Sequence, residues 1–227
     1  MPSLFETSVE SIRQGTRTLG PSVGPTFGWE FLYCPSSLLS ERSRLWFIGI
    51  NPGGPGGTSK AAKECFEDGN AYYVDRKWSP DGEVLRDQVK EFFKLLAGAV
   101  DSGRLTGEGL LNETLTSNFC PITSDTWRTV TERRKALDLS RKLWSGILKQ
   151  LSPRVIIGMG GLPYREFCRL YRQMGYALLN EWTIDTGWGV VDFRLGTTAR
   201  TGRSPGSSTC RTFLKSSSCD ARIVVLK

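Results

Sequence analysis

Apolar positions along the chain fall into short unbroken runs, separated by longer stretches of helical periodicity. The densest run is Leu45-Trp46-Phe47-Ile48-Gly49-Ile50. Such a run suits a strand buried on both faces, as in a parallel sheet flanked by helices. It stops in Asn51-Pro52-Gly53-Gly54-Pro55-Gly56-Gly57, a turn at the strand's carboxyl end, where open α/β sheets place their ligands. Asn, Pro and Gly also make ordinary turns, so the stretch alone leaves both meanings open.

The remaining pattern places further elements around this strand. Before it the signal is weak: a short helix is expected over 8–13, a loop over 20–28, and Trp29–Tyr33 packing over the sheet. After it, 58–66 reads as a short helix capped by Thr58 or Ser59, and 67–80 as a polar, aromatic loop. Val84, Leu85, Val89, Phe92, Phe93 and Leu96 recur at helical spacing and predict a helix over 83–100. Residues 103–112 read as loop and 114–122 as a strand. A long basic helix is expected from its cap at Asp125 to about Leu151, with Val130, Leu137, Leu143, Trp144, Ile147 and Leu148 inward. A strand at 154–158 and a helix over 162–174 follow. Strands over 176–184 and 189–195 are joined by a turn at 185–188. Then come a polar loop over 196–209 and a last strand at 223–226. This alternation predicts an α/β fold, a three-layer α/β/α sandwich with a central mostly parallel sheet. No repeat or linker divides the chain, so residues 1–227 are expected to form one domain, with 1–43 as an extension packed on it.

Composition narrows the chemistry. A chain of 227 residues with 39% hydrophobic and 23% charged positions is ordinary for one globular core. No apolar run approaches membrane-spanning length, and residues 1–21 lack the apolar core of a secretory signal, so a cytoplasmic protein without a membrane partner is expected. Histidine is absent, and the six cysteines form no Cys-x-x-Cys pair. Zinc and iron–sulfur sites are therefore not signalled, and neither a metal nor any other cofactor is expected. Without histidine, Ser-His-Asp and Cys-His schemes also fall away. Catalysis is left to amides, hydroxyls, carboxylates or the backbone. A net charge of +7 with a pI near 9.2 serves solubility and also raises the prospect of a polyanionic partner, nucleic acid first.

Two glycine motifs mislead. In Gly53–Lys60 the position before Lys60 is Ser59, where a P-loop requires glycine, and Ala61 stands in place of the Mg²⁺-binding hydroxyl. Gly158-Met159-Gly160-Gly161 follows a strand, but it lacks the third glycine of the dinucleotide fingerprint.

Gly49-Ile50-Asn51-Pro52-Gly53 at the end of a buried strand resembles the first active-site motif of the uracil-DNA glycosylase superfamily. It is most similar to the mismatch-specific and single-strand-selective branches, whose motif carries Asn. Ser117-Asn118-Phe119-Cys120-Pro121 resembles the strand whose Asn reads the flipped base, and 153–160 resembles the strand and glycine turn before the last helices. The three stretches stand in the superfamily's order, across roughly 45–212. The resemblance implies a monofunctional glycosylase in which Asn51 orients a water, while the loop backbone approaches a flipped base. Gly49, Ile50, Pro52, Gly53, Phe66 and Asn118 are the implied base-binding positions. Phe66 matches a stacking aromatic or is a core aromatic, and Tyr72 or Tyr73 is an alternative. Asn118 reads a base edge, or satisfies backbone at a strand end.

The chain departs from the superfamily at its fourth motif, where most branches carry His-Pro-Ser. Either Thr197-Thr198 or Arg203-Ser204-Pro205 stands at that place, and the second is favoured because Ser-Pro survives. Arg203 and Ser204 are then the further catalytic candidates, with Arg203 an electrophilic donor or a phosphate or gap-filling residue. Lys60, Arg200, Arg203, Ser207 and Arg211 are the expected DNA-binding positions. The cations at Arg128, Arg133, Arg134, Lys135, Arg141 and Lys142 lie along one helix and read either as phosphate contacts or, in preference, as a solvated helix face. Strict uracil enzymes carry a tyrosine where Gly53 stands, blocking a substituent on C5. An opening beside C5 is expected here, and with it tolerance of 5-substituted or bulky modified pyrimidines such as those of phage DNA. The implied partner is DNA and the implied state a monomer. The alternatives are a catalytically silent nucleic-acid-binding protein, or a conventional uracil or thymine-mismatch repair enzyme.

Overall fold

Ser3 starts the first helix. Its hydroxyl accepts from the Glu6 N–H at 3.2 Å, while the Glu6 carboxylate accepts from the Ser3 N–H at 2.7 Å. This reciprocal pair satisfies two otherwise orphaned donors, and it lies ahead of the apolar pattern. Helix α1 (Leu4–Thr18) is therefore longer than the 8–13 expected, and it buries Val9 and Ile12. The computed structural model describes residues 2–19, 28–53, 62–66, 71–75, 80–100, 105–130, 132–185, 192–200 and 221–226. For 80–83, 100, 177–185, 192–200 and 221–226 only the backbone is described.

After α1 come β1 (Leu45–Gly49), α2 (Tyr72–Asp75), α3 (Pro80–Val100), α4 (Gly107–Asn112), β2 (Leu115–Asn118), α5 (Arg133–Leu148), β3 (Val155–Met159), α6 (Gly161–Gln173), β4 (Tyr176–Asp185), β5 (Asp192–Arg200) and β6 (Ala221–Leu226). The protein is α/β. Its sheet has the order β2-β1-β3-β6-β5-β4. The β2–β1, β1–β3 and β3–β6 pairings are parallel, whereas β6–β5 and β5–β4 are antiparallel.

Successive residues of the central strands pack into two separate clusters, as the period of two requires. Trp46 and Ile48 of β1 and Ile156 of β3 join Ile12 of α1, Trp144 and Ile147 of α5 and Phe167 of α6. Phe47 and Ile157 join Tyr73 of α2, Val89 and Phe93 of α3 and Leu111 of α4. Trp46, Trp144 and Phe167 are completely buried, and each side chain of this size contributes about 2–3 kcal/mol on leaving water. The Trp144 indole N–H donates to the Phe119 carbonyl at 2.8 Å. That bond ties α5 to the chain leaving β2 and leaves the buried ring without an orphaned donor.

Several expected boundaries move. Residues 62–66 are not helical: Lys63 forms a bridge parallel to Glu30, and the Phe31 N–H donates to the Lys63 carbonyl at 3.0 Å. Position 80 is helical because proline fits the first turn, where its missing N–H has no partner to lose. Within the expected loops lie α4, begun by Thr106 accepting from the Gly109 N–H at 3.0 Å, and α2. The basic helix starts only at Arg133, because a 3-10 turn at Trp127–Thr129 intervenes. Residues 196–200, expected as loop, belong to β5, where Thr197 and Thr198 pair with both β4 and β6. Thr197-Thr198 is thus bound into the sheet and is removed as a candidate for the fourth motif. No helix among the described residues is long and apolar enough to cross a membrane.

Candidate active site

The carboxyl ends of β1 and β2 carry the two amides singled out in the sequence. The strands pair Gly49 with Asn118, and the pairing continues past both ends. The Phe119 and Cys120 N–H groups donate to the Gly49 and Ile50 carbonyls at 2.9 Å each, and the Ser124 N–H donates to the Pro52 carbonyl at 3.0 Å. Residues 49–52 are thereby laid alongside 119–124. This pairing brings Gly49, Ile50, Asn51, Pro52 and Asn118 together.

Asn51 is half-buried and its nitrogen end is held. Nδ2 donates to the Ser124 hydroxyl at 2.9 Å and to the Pro52 carbonyl at 3.0 Å, with the Ser124 carbonyl at 3.5 Å. The Ser124 hydroxyl in turn donates to the Thr126 carbonyl at 2.9 Å. Acceptors around one end of an amide fix which end is nitrogen. Oδ1 is then the end left over, and no described residue donates to it. An acceptor held this way can orient a water through one of its protons.

Asn118 differs. It is 5% exposed, yet no described residue hydrogen-bonds its side-chain amide. Its Oδ1 lies against Gly49, in the space a Cβ there would occupy. Both ends of an amide can donate to and accept from a base edge at once.

Gly160 closes the floor. Its φ of +92° lies in the region that glycine tolerates, and a Cβ there would stand 3.1 Å from Ile50 Cδ1. The end of β3 and the chain leaving β1 approach closely for that reason. Gly53 is exposed, and a Cβ placed on it meets no described atom within 4 Å.

Phe66 is 4% exposed. Its ring centroid lies 4.4 Å from that of Tyr72 and 5.6 Å from that of Tyr33, and the Lys63 ammonium lies 3.5 Å over it. The packing favours the core meaning of Phe66 over the base-stacking one. Arg200 does not flank the crevice. Because β5 runs antiparallel to β6, Arg200 lies at the amino ends of β3 and β6, opposite Asn51. Ala221, where the chain re-enters the sheet, stands at that same far end. Lys60, Arg203, Ser204, Ser207 and Arg211 lie outside the described residues.

Sequence reasoning missed Ser124. A serine in a polar stretch carries no periodicity, and the available signal was only that a held amide needs an acceptor on the neighbouring chain. Among the described residues no group of three or more acidic or Cys side chains is placed to hold a metal, and no disulfide joins Cys34, Cys65, Cys120 and Cys168 to one another. Burial pushes the Cys120 thiol up to about 11, with hydrogen bonds from Ile122 and Ser140 only partly opposing it. Cys120 is therefore not a nucleophile at neutral pH. The sequence matches no protein-family model and no curated protein.

Proposed function

We propose that this chain is a monofunctional DNA glycosylase of the uracil-DNA glycosylase kind, acting on a flipped pyrimidine and tolerant of substituents on C5. The observation that carries the reading is the pair of amides at adjacent strand ends, with Asn51 anchored through nitrogen and the Asn118 amide hydrogen-bonded by no described residue. In the proposed reaction, Asn51 Oδ1 accepts from a water and aims its lone pair at C1′ of the sugar. The N-glycosidic bond breaks, and its electron pair leaves with the base. The water oxygen bonds C1′, its proton is released, and the departing base takes up a proton. The products are the free base and an abasic site.

Charge gathers on the base as it leaves, so donors aimed at its carbonyl contribute most. Backbone N–H groups of the glycine-rich loop after Asn51 are proposed for that task. Arg203 and Ser204 lie outside the described residues; the described positions on either side of them, Arg200 and Ala221, stand at the far end of the sheet, which weakens their claim. The proposed architecture is a three-layer α/β/α sandwich in one domain; its support is the alternation of β1 and β3 residues between two helix-bearing clusters. A cytoplasmic monomer without cofactor completes the proposal, in repair or in defence against modified foreign DNA.

A second reading is a silent DNA-binding protein on the same fold. It is favoured by the absence of histidine and by the remote anchoring of the last loop. Oligonucleotides bearing uracil, mismatched thymine, 5-hydroxymethylcytosine or glucosylated cytosine, scored for alkali-labile abasic sites, separate the two. The glycosylase cleaves a 5-substituted member of the panel, and Asn51→Ala lowers the rate about 10²–10³-fold with DNA affinity kept. Binding without base release across the whole panel establishes the silent protein. Release of uracil alone removes the C5 claim.

A further inference from the structure

Away from the crevice, the described surface holds a concavity of about 570 Å³ walled by Trp127, Arg133, Arg134, Asp138, Arg141 and Arg169. Its cations are not alike. Arg141 is committed: Nε and Nη2 donate to the two Glu166 oxygens at 2.7 and 2.9 Å, and Nη1 donates to Asp138 at 2.8 Å. This fork holds α5 to α6, and its one guanidinium faces two carboxylates. Arg133, Arg134 and Arg169 have no carboxylate partner among the described residues, and all three are exposed. Their mutual repulsion is only partly offset by Asp138, so an anion in the concavity is favoured. The helix end adds to this, since Glu132 gives α5 no side-chain cap.

One side of the concavity stands at the crevice end of the fold. Helices α5 and α6 follow parallel strands β2 and β3, so Arg133 and Arg134, in the first turn of α5, lie at the end where Asn51 lies, whereas Arg169 lies past the middle of α6. Ser124, the anchor of Asn51, precedes Trp127 by three residues, at most about 11 Å of chain. Trp127 is half-buried and gives the basic wall an aromatic face. Cations tracking a backbone beside an aromatic platform are the means by which proteins hold a nucleic-acid strand, whereas a free phosphate has no use for the ring.

We propose that this concavity binds the DNA strand beside the flipped nucleotide, with Arg133, Arg134 and Arg169 on its phosphates and Trp127 against a flanking base. The position of the target nucleotide rests on the glycosylase reading; the DNA contact does not. Fluorescence anisotropy with a labelled duplex carrying a tetrahydrofuran abasic analogue tests it on the full chain. In the Arg133→Glu/Arg134→Glu variant the Kd rises at least tenfold at 0.1 M salt, and the salt slope of log Kd falls by about 1.8, the share of two phosphates of a duplex. Trp127→Ala weakens binding about fivefold or more, and Trp127→Phe restores most of it. If charge reversal disturbs folding, Arg133→Gln/Arg134→Gln shows the same slope change. Unchanged affinity and slope in a folded variant overturn the proposal. So does an equal loss of affinity for inorganic polyphosphate with Trp127→Ala silent, which reduces the concavity to a general anion patch. Base release by wild type with arginine-independent DNA affinity sinks this surface and keeps the glycosylase. Arginine-dependent DNA affinity with no base release does the reverse.

Discussion

Asn118 Oδ1 fills the space that a Cβ on Gly49 would occupy. The two residues are direct partners in the parallel β1–β2 pairing, so a methyl group on one displaces the amide of the other. The obstructing atom is the far end of a side chain, which can turn away without moving backbone. Gly49→Ala should therefore fold with a melting temperature within a few degrees of wild type, yet release base about 10²-fold more slowly, the usual cost of misplacing a group by about 1 Å. Thermal melting and single-turnover base release on the same samples check this. A variant with unimpaired release excludes Asn118 as the base reader.

Gly53 offers the opposite situation. A side chain there meets open space among the described residues, and its φ is not left-handed. Gly53→Tyr should be tolerated by the fold and should narrow the substrate range. Relative to wild type, kcat/KM for a 5-substituted pyrimidine falls at least tenfold against that for unsubstituted uracil. A parallel loss on both substrates shows instead that the tyrosine blocks the crevice as a whole.

Alkali should weaken the protein from about pH 9 upward. The Cys120 thiol is held at about 11 in the fold, against 9.0 for the ordinary group. Burial also pushes the phenols of Tyr33 and Tyr73 above their usual range. Between the unfolded and folded values the unfolded chain has lost a proton that the native one keeps, so stability falls as pH rises. Two units on Cys120 correspond to about 2–3 kcal/mol, present in full below pH 9 and lost as pH passes 11. Melting temperatures between pH 7.5 and 11 show the decline. Cys120→Ala removes its first part, leaving the later tyrosine-dependent part.

The pair Asn51 and Asn118 was legible because each follows an apolar strand and interrupts it with an amide, a local pattern. Ser124 was hidden because its role depends on pairing between 49–52 and 119–124, which no local window contains. The span of β5 was misjudged for a related reason. Gly196-Thr197-Thr198-Ala199 reads as loop, but pairing on both sides with β4 and β6 satisfies its backbone and overrides weak propensity. Direction was the costliest omission. Charge alone marks Arg200 as a DNA-binding position, and only the antiparallel course of β5 puts it at the end opposite Asn51. The arginines of α5 were legible as a basic face, but the concavity was not, since Arg169 reaches it from α6.

The strand order carries a consequence for how the molecule assembles. β6, last in chain order, lies between β3 and β5, so the β4–β5 hairpin has no link to β1–β3 through the sheet until β6 arrives. The hairpin can form locally within microseconds, whereas docking β6 on β3 closes more than sixty residues of chain at once and is slow. During synthesis the early half emerges with β3 as an unpaired edge, a template for strand addition by other chains. Recovery of soluble protein should therefore be set by the rate at which this last strand is inserted.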